Sequence, residues 1–405
     1  MDIAFMHPSY PSAEGTGATH SATQIVTGLT EAGHSVDIYC TANPQSEDVQ
    51  SNSALYHLDG ESIHPHTSTK LNREVKARLD KFDKYDIVHS YLPSLIPSIA
   101  EIGQQLNVGT VVTLNAYGGT CAKNDLLYLN EEQCESKSTA KCMNCIARTG
   151  FSNNEHGYLY QTASQLLSLR SINKGERRLE HIDAFRAPSD HVKENYEQFG
   201  YQKKKIQVIS HPLNDLFLVD HKSDFTDPIQ ILYVGALEKH KGVDKLVPII
   251  HGLRQDGLDV ELTVVGTGGF RAKMEQQRTE LDCAESIDFA GFVSNEKLPE
   301  VYAGHDLFIH PGVWEEPLAR VYIEALATGT PIVTREYGSV QSIIGDGGVT
   351  ADDSVESYIE VISDVLRDNR LASLSKGAKD HVRRYERKKI VSQIEELYQS
   401  LLYVF

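Results

Sequence analysis

The chain has 405 residues, with 39 Lys and Arg against 56 Asp and Glu, a formal net charge of −17 at pH 7. That balance disfavours non-specific binding to nucleic acid or to an anionic membrane, and the length calls for two or three domains with substantial cores. No apolar run approaches the length needed to span a bilayer, and no Lys or Arg precedes Lys70, so cytoplasmic residence is expected.

Ile3 to Met6 reads as a first strand, followed by a polar loop, His7 to Thr19, that carries Gly15 and Gly17. A helix over Ser21 to Ala32 ends at Gly33, and a second strand runs from Val36 to Cys40. Short apolar strands follow at Asp86–His89, Thr110–Leu114, Asp183–Ala187 and Ile206–Ile209, with helical stretches between them. Strand–helix alternation of this kind predicts a parallel, doubly wound sheet. The polar residues 213–228 break the pattern and read as an interdomain connection. A second alternation then begins at Ile229–Val234 and continues through Val260–Val265, Ile287–Phe289, Leu307–Ile309 and Pro331–Val333. The stretch from Val355 to Leu402 is predicted to be mostly helical.

Residues 314–333 carry the sharpest chemical signal. Glu316 and Glu324 are separated by seven residues, Pro317 suits the start of a helix, and Gly329 suits its end. With an early helix start, Glu316, Arg320 and Glu324 share one face at i, i+4 spacing. A salt-laced surface helix is the plainer alternative. Against it, Phe308 to Gly312 reads as the end of a buried strand, and ligands in open α/β sheets bind where strands end and helices begin. Three glycine-bearing loops follow strands: Gly15-Thr16-Gly17, Gly235 to Gly242 with Lys241, and Gly266 to Gly269. None is a Walker loop and none has dinucleotide spacing. Backbone demands alone explain many such glycines.

Cys121, Cys134, Cys142 and Cys145 fall in one insertion that ends in Cys-Met-Asn-Cys. In a cytosolic chain, four cysteines with a closing C-x2-C favour a structural zinc knuckle, with a redox pair or buried thiols as alternatives. Cys40 and Cys283 lie in or beside core segments and read as apolar packing.

Taken together these segments resemble the large GT-B-fold glycosyltransferase family 4, the retaining, nucleotide-sugar-dependent enzymes marked by an E-x7-E motif, and the likeness extends to relatives with a cysteine-bearing insertion. It rests on the N-terminal loop with Gly15 and Gly17, on Tyr233-Val234-Gly235 through Lys241-Gly242-Val243-Asp244, and on Glu316 to Glu324 followed by Glu-Ala-Leu-Ala-x-Gly-x-Pro. The resemblance implies an α/β chain of two Rossmann-like, doubly wound domains facing a central cleft. The first, residues 1–212, is on the acceptor side with the cysteine-rich insertion at 115–150. The second, residues 213–385, takes the donor, and a C-terminal helix, 386–405, packs back on the first. It implies transfer of a hexose-like sugar from a nucleotide-diphosphate sugar to a hydroxyl acceptor, with no catalytic cofactor. The catalytic residues would be Glu316, Lys241 and Asn115. Lys241 would bind the donor diphosphate, Glu316 the transferred sugar and Glu324 the ribose. Ala319, Arg320 and Val321 would face the diphosphate, Phe292 and Val293 the base, and Gly15, Gly17, Gly235 and Gly266 would line the donor.

Two positions depart from the family pattern. Ala236 stands where an Arg is usual, and Arg320 is the candidate replacement, against a simple helix pair with Glu316 or Glu324. Asn115 stands where many relatives have His, and an amide cannot serve as acid or base near neutral pH. The acceptor is expected to be a saccharide or a lipid-linked sugar, in cell-surface glycan, polysaccharide or protein-glycosylation precursor assembly. Lys203–Lys205 and Arg170–Arg178, beside Leu166, Leu167, Leu169 and Ile172, suggest peripheral contact with a membrane inner face, though a solvated face is favoured. The rival functions are a non-hydrolysing GT-B nucleotide-sugar epimerase and a non-catalytic module.

Overall fold

Residues 1–7, 17–40, 54–58, 65–149, 158–221 and 224–402 are described by a computed structural model. The chain divides into two compact units, Met1–Pro212 with Lys388–Phe405, and Leu213–Arg387. Among the described residues the strands are β1 (Asp2–Met6), β2 (Ser35–Cys40), β3 (Leu55–His57), β4 (Ile87–Ser90), β5 (Gly109–Thr113), β6 (Leu127–Tyr128), β7 (Glu132–Gln133), β8 (Ala184–Ala187), β9 (Ile206–Val208), β10 (Ile229–Val234), β11 (Val260–Val265), β12 (Ile287–Gly291), β13 (Leu307–His310), β14 (Ile332–Arg335) and β15 (Gly348–Ala351).

The first unit holds a sheet in the order β3-β2-β1-β4-β5-β8-β9, and the second holds one in the order β12-β11-β10-β13-β14-β15. Every recorded strand pair in the two sheets is parallel. These are the two Rossmann-like α/β sheets the strand–helix alternation predicts. Parallel strands covered on both faces read as continuous apolar runs, and β1, β10 and β13 carry such runs at Ile3–Met6, Ile231–Val234 and Leu307–Ile309. β3 and β15 were not visible as strands in the sequence. Leu55-Tyr56-His57 and Gly348-Val349-Thr350-Ala351 are too short and too mixed to signal a strand, and parallel pairing to β2 and β14 makes them one.

The final helix, Arg387–Leu402, places Ile390, Val391, Ile394, Leu397 and Tyr398 on one stripe, and these pack with Ile3, Phe5, Ile87 and Val111 in one core of the first unit. Each such aliphatic side chain contributes about 1.5–3 kcal/mol when fully buried. His89 shows what that packing demands of a polar group. It is wholly buried on β4, bonded to the Tyr398 hydroxyl at 2.5 Å and to Thr113 Oγ1 at 2.7 Å. Burial, with the nearby Arg186 cation, pushes its pKa down to about 3.

The connection at 213–228 is less of a free linker than its polarity suggests. Leu213 and Phe217 are buried in the second unit's core, and Asn214 caps the turn between them through the Leu216 N–H.

Candidate active site

In the second unit the order of strands reverses around β10, whose neighbours are β11 and β13. Such a switch point opens a crevice at the carboxyl ends of the strands, and most residues singled out in the sequence lie at those ends. Gly235 follows β10, Gly266 follows β11, Phe292 and Val293 follow β12, and Glu316 lies on the loop after β13.

The glycines answer to packing. A Cβ on Gly266, whose φ is +136°, would lie 1.9 Å from the Gly235 carbonyl oxygen, so these two loops meet only with a glycine at 266. Gly242, at φ +72°, sits against the Pro311 carbonyl, where a Cβ would be 1.8 Å away. That approach joins the Lys241 turn to the loop after β13. The Val313 and Trp314 N–H groups seal the junction by donating to the His240 carbonyl at 3.0 and 3.3 Å.

The result is an ion pair across 75 residues: the Lys241 ammonium donates to Glu316 Oε1. Trp314 lies over the Lys241 ammonium at 5.5 Å from its ring centroid. His310 Nε2 is 3.9 Å from the same Glu316 oxygen. Burial pushes the Glu316 carboxyl up, but Lys241 and His310 pull harder and hold it below the ordinary carboxylate value. His310 is itself buried, which pushes its pKa down to about 4, and it keeps its ring in place through the Tyr322 hydroxyl at 2.9 Å, which in turn contacts Thr334 at 2.7 Å. Near neutral pH Glu316 is therefore ionised and His310 neutral.

The helix after this loop begins at Arg320, with Ala319 as its N-cap, and ends at Gly329 in the left-handed region. Glu316 thus precedes the helix, and the expectation that Glu316, Arg320 and Glu324 share one helix face is corrected. Pro317 is the reason: the residue before a proline is driven out of the helical region, so Glu316 stays on the loop and turns to Lys241. Arg320 and Glu324 do pair at i, i+4, 3.1 Å apart, with side chains only 12% and 9% exposed. Glu324 also accepts from the Tyr302 hydroxyl at 3.4 Å. Its burial pushes the carboxyl pKa up, a rise that Arg320 and Tyr302 oppose. Val321 is half-buried in the first turn of this helix, Val293 packs partly against the core, and Phe292 is 79% exposed.

Sequence reasoning missed three members of this cluster. His310 and Trp314 flank the Lys241–Glu316 pair, and Arg335, at the end of β14, lies 3.8 Å from Glu315 and 3.7 Å from Asp353. The usable signal was positional, since each polar residue sits at or just beyond the carboxyl end of an apolar strand.

Gly17 and Asn115 belong to the first unit, and Gly15 lies outside the described residues. Gly17 opens the helix Gly17–Glu31. Asn115 follows β5 and lines a 370 Å³ cavity of that unit together with His7, Thr19, Ser94, Asn124 and Ser168. The Asn115 Oδ1 is buried without a hydrogen-bond partner. No carboxylate, lysine or arginine lines this cavity among the described residues.

The zinc expectation is corrected. Cys121, Cys134, Cys142 and Cys145 border one small cavity of 40 Å³, and all are free thiols. Among the described residues no group of three His, Cys, Asp or Glu side chains is placed to hold a metal. Their contacts are instead to the chain around them: the Cys145 Sγ accepts from the Leu129 N–H at 3.3 Å, and the Cys134 thiol donates to the Ser136 carbonyl at 3.3 Å. Burial pushes the Cys121 thiol up to about 11 and the Cys142 thiol upward. Cys40 and Cys283 are buried in the cores.

Comparison with known proteins puts this geometry in a family. A model described as "Glycosyltransferase Family 4" matches residues 15–215, and one described as "Glycosyl transferases group 1" matches residues 219–400. The chain is 23% identical over 350 residues to an uncharacterized glycosyltransferase of Methanocaldococcus jannaschii, covering 85% of this chain and 83% of that one. It is 26% identical over 228 residues to a GDP-mannose-dependent alpha-(1-6)-phosphatidylinositol dimannoside mannosyltransferase of Mycobacterium tuberculosis, a match spanning 52% of this chain and 58% of the relative. Among solved structures, sucrose-phosphate synthase from Thermosynechococcus elongatus superimposes over 100% of both chains at 20% identity with a TM-score of 0.75. Anabaena HepE in complex with UDP does so over 99% of this chain and 100% of its own at 16% identity with a TM-score of 0.71. With one glycosyltransferase domain matched in each half and a two-sheet fold shared along the full length, the chain belongs to the GT-B glycosyltransferases of the family 4 type.

Proposed function

We propose that the protein transfers a hexose-like sugar from a nucleotide-diphosphate sugar to a hydroxyl acceptor with retention at the anomeric carbon. The observation that carries the reading is the Lys241–Glu316 pair at the switch point of the second sheet. A lysine held by a buried carboxylate and an indole face is a preorganised cation, and the donor's diphosphate is an anion able to compete for it. In this reading the second unit takes the donor. Glu316, released in part from Lys241, accepts hydrogen bonds from hydroxyls of the transferred sugar. Glu324 accepts from the ribose hydroxyls. The first turn of the helix at Arg320 directs its N–H groups toward phosphate, and Phe292 and Val293 border the base.

The chemical step breaks the bond between the anomeric carbon and the donor phosphate oxygen and forms one to the acceptor oxygen on the same face. The acceptor's proton passes to the departing phosphate oxygen, so no protein base is required. Lys241 supplies charge to the leaving diphosphate. Arg320 stands in for the cation that Ala236 does not provide, leaving Glu324 when the diphosphate arrives. Asn115, lining the first unit's neutral cavity, orients an acceptor hydroxyl by hydrogen bonding.

The test is a calorimetric screen of UDP, GDP and their sugars against the wild type and Lys241→Ala. One nucleotide class should bind, and the variant should lose at least tenfold in affinity, about 1.4 kcal/mol. Sugar transfer to a membrane lipid extract should follow with the same donor. Absence of binding to any nucleotide would end the proposal, and donor isomerisation without acceptor would point to an epimerase.

A further inference from the structure

The helix Tyr158–Glu176 of the first unit has two differently occupied sides. Ser168, Ser171, Ile172 and Gly175 line the 370 Å³ neutral cavity. The other side is outward. Leu166 and Leu167 are each 39% exposed, Tyr160 is 44% exposed, and Met143 of the adjacent helix Thr139–Thr149 is 50% exposed. Toward the C-terminus the same stripe becomes cationic, with Arg170, Lys174 and Arg177 exposed at i, i+4 and i+7. Arg178 is tied to Glu101 at 2.6 Å, whereas Arg170, Lys174 and Arg177 form no ion pair among the described residues. Met143, Leu166, Arg170, Lys174 and Arg177 border an open groove of 750 Å³. Leu169 and Ile172, by contrast, are 4% and 7% exposed and belong to the interior.

Three cations with no ion pair among the described residues, beside four exposed large apolar side chains, are out of character for a chain of net charge −17. A solvated face would need only the charges, and a protein core only the apolar groups. One surface satisfies both, an apolar layer under anionic headgroups, where the side chains insert and the guanidinium and ammonium groups remain at headgroup depth. A second copy of this chain fits less well, since it would bring three more cations to the same place.

We infer that the outward face of the helix Tyr158–Glu176 docks on an anionic lipid bilayer. The docking surface stands independently of the proposed transfer.

The experiment is co-sedimentation of the full chain with vesicles of phosphatidylcholine alone and of phosphatidylcholine with about one-third phosphatidylglycerol. Wild type should bind the anionic vesicles and not the neutral ones, and binding should weaken as salt is raised. Each surface cation contributes about fivefold, so Arg170→Gln with Lys174→Gln should reduce partitioning about 25-fold, and Leu166→Ser with Leu167→Ser should also reduce it. Thermal unfolding of both variants should match wild type, which removes misfolding as an explanation. Equal binding to both vesicle types, or variants that bind as wild type does, would overturn the inference. So would light scattering that shows a wild-type dimer dissociated by the leucine substitutions. Nucleotide titration of the same samples separates the outcomes. Lost vesicle binding with intact nucleotide binding leaves the donor reading standing, and the converse leaves the docking surface standing.

Discussion

Removing the ammonium from the Lys241–Glu316 pair tests the electrostatics of the site without any substrate. Lys241→Met keeps the length and apolar stem of the side chain and takes away the charge. Glu316, with only 16% of its side chain exposed, is then left with the neutral His310 at 3.9 Å as its nearest recorded partner. Breaking a buried pair in this way costs about 3–5 kcal/mol when the remaining charge has no escape. Here it has one, because the carboxyl can take up a proton. From the ordinary value of 4.5, neutralisation at pH 7 costs about 1.4 kcal/mol for each of roughly two and a half pH units, which caps the loss near 3.4 kcal/mol. The pH dependence also reverses sign. In wild type the folded carboxyl lies below 4.5, so its contribution is present above that pH and is lost as pH falls through the folded value. In the variant the folded value lies above 4.5, so the variant loses stability relative to wild type as pH rises. Urea unfolding at several pH values should therefore show a deficit of about 2–3 kcal/mol near neutrality that shrinks toward pH 5. Lys241→Met with Glu316→Gln should recover most of it. A deficit that is the same at both pH values, or no recovery in the double variant, would refute this account.

Other outcomes follow from the same structure. Arg320→Ala should weaken binding of the donor nucleotide about tenfold by calorimetry, about 1.4 kcal/mol, and unchanged affinity would reduce Arg320 to a helix pair with Glu324. Gly242→Ala should lower the denaturation midpoint by at least the cost of a left-handed residue, about 1–2 kcal/mol, since its Cβ would overlap the Pro311 carbonyl. Ser354 caps the helix Val355–Arg367 by accepting from the Ser357 N–H at 3.1 Å, so Ser354→Ala should cost about 1 kcal/mol in the same assay. His89 is held neutral with its pKa down at about 3. Its contribution is complete above about pH 6.5 and is lost as pH falls toward 3, because the unfolded histidine gains a proton the folded one refuses. NMR titration of that imidazole should show no protonation down to about pH 4.

The sequence by itself determined the architecture, because apolar runs of strand length alternating with helical periodicity leave few arrangements besides parallel sheets. It also put the candidate site at strand ends, because glycines, Lys241 and the two glutamates follow those runs, and side chains at strand ends face a crevice in open α/β sheets. What it did not contain was the pairing. Glu316 and Glu324 look equivalent along the chain, yet Pro317 keeps one on a loop against Lys241 while the helix carries the other to Arg320. The cysteines make the same point in the opposite sense. Their spacing suggests four ligands for one metal, whereas among the described residues their contacts are to groups of the insertion itself and no three ligating side chains converge. Leu166, Leu167, Leu169 and Ile172 are alike in composition, and packing alone sends two inward and two to the surface. Local pattern fixes which residues are helical or extended, since that depends on neighbours in the chain. Partners, burial and charge state depend on groups tens of residues away, and only the folded chain brings those together.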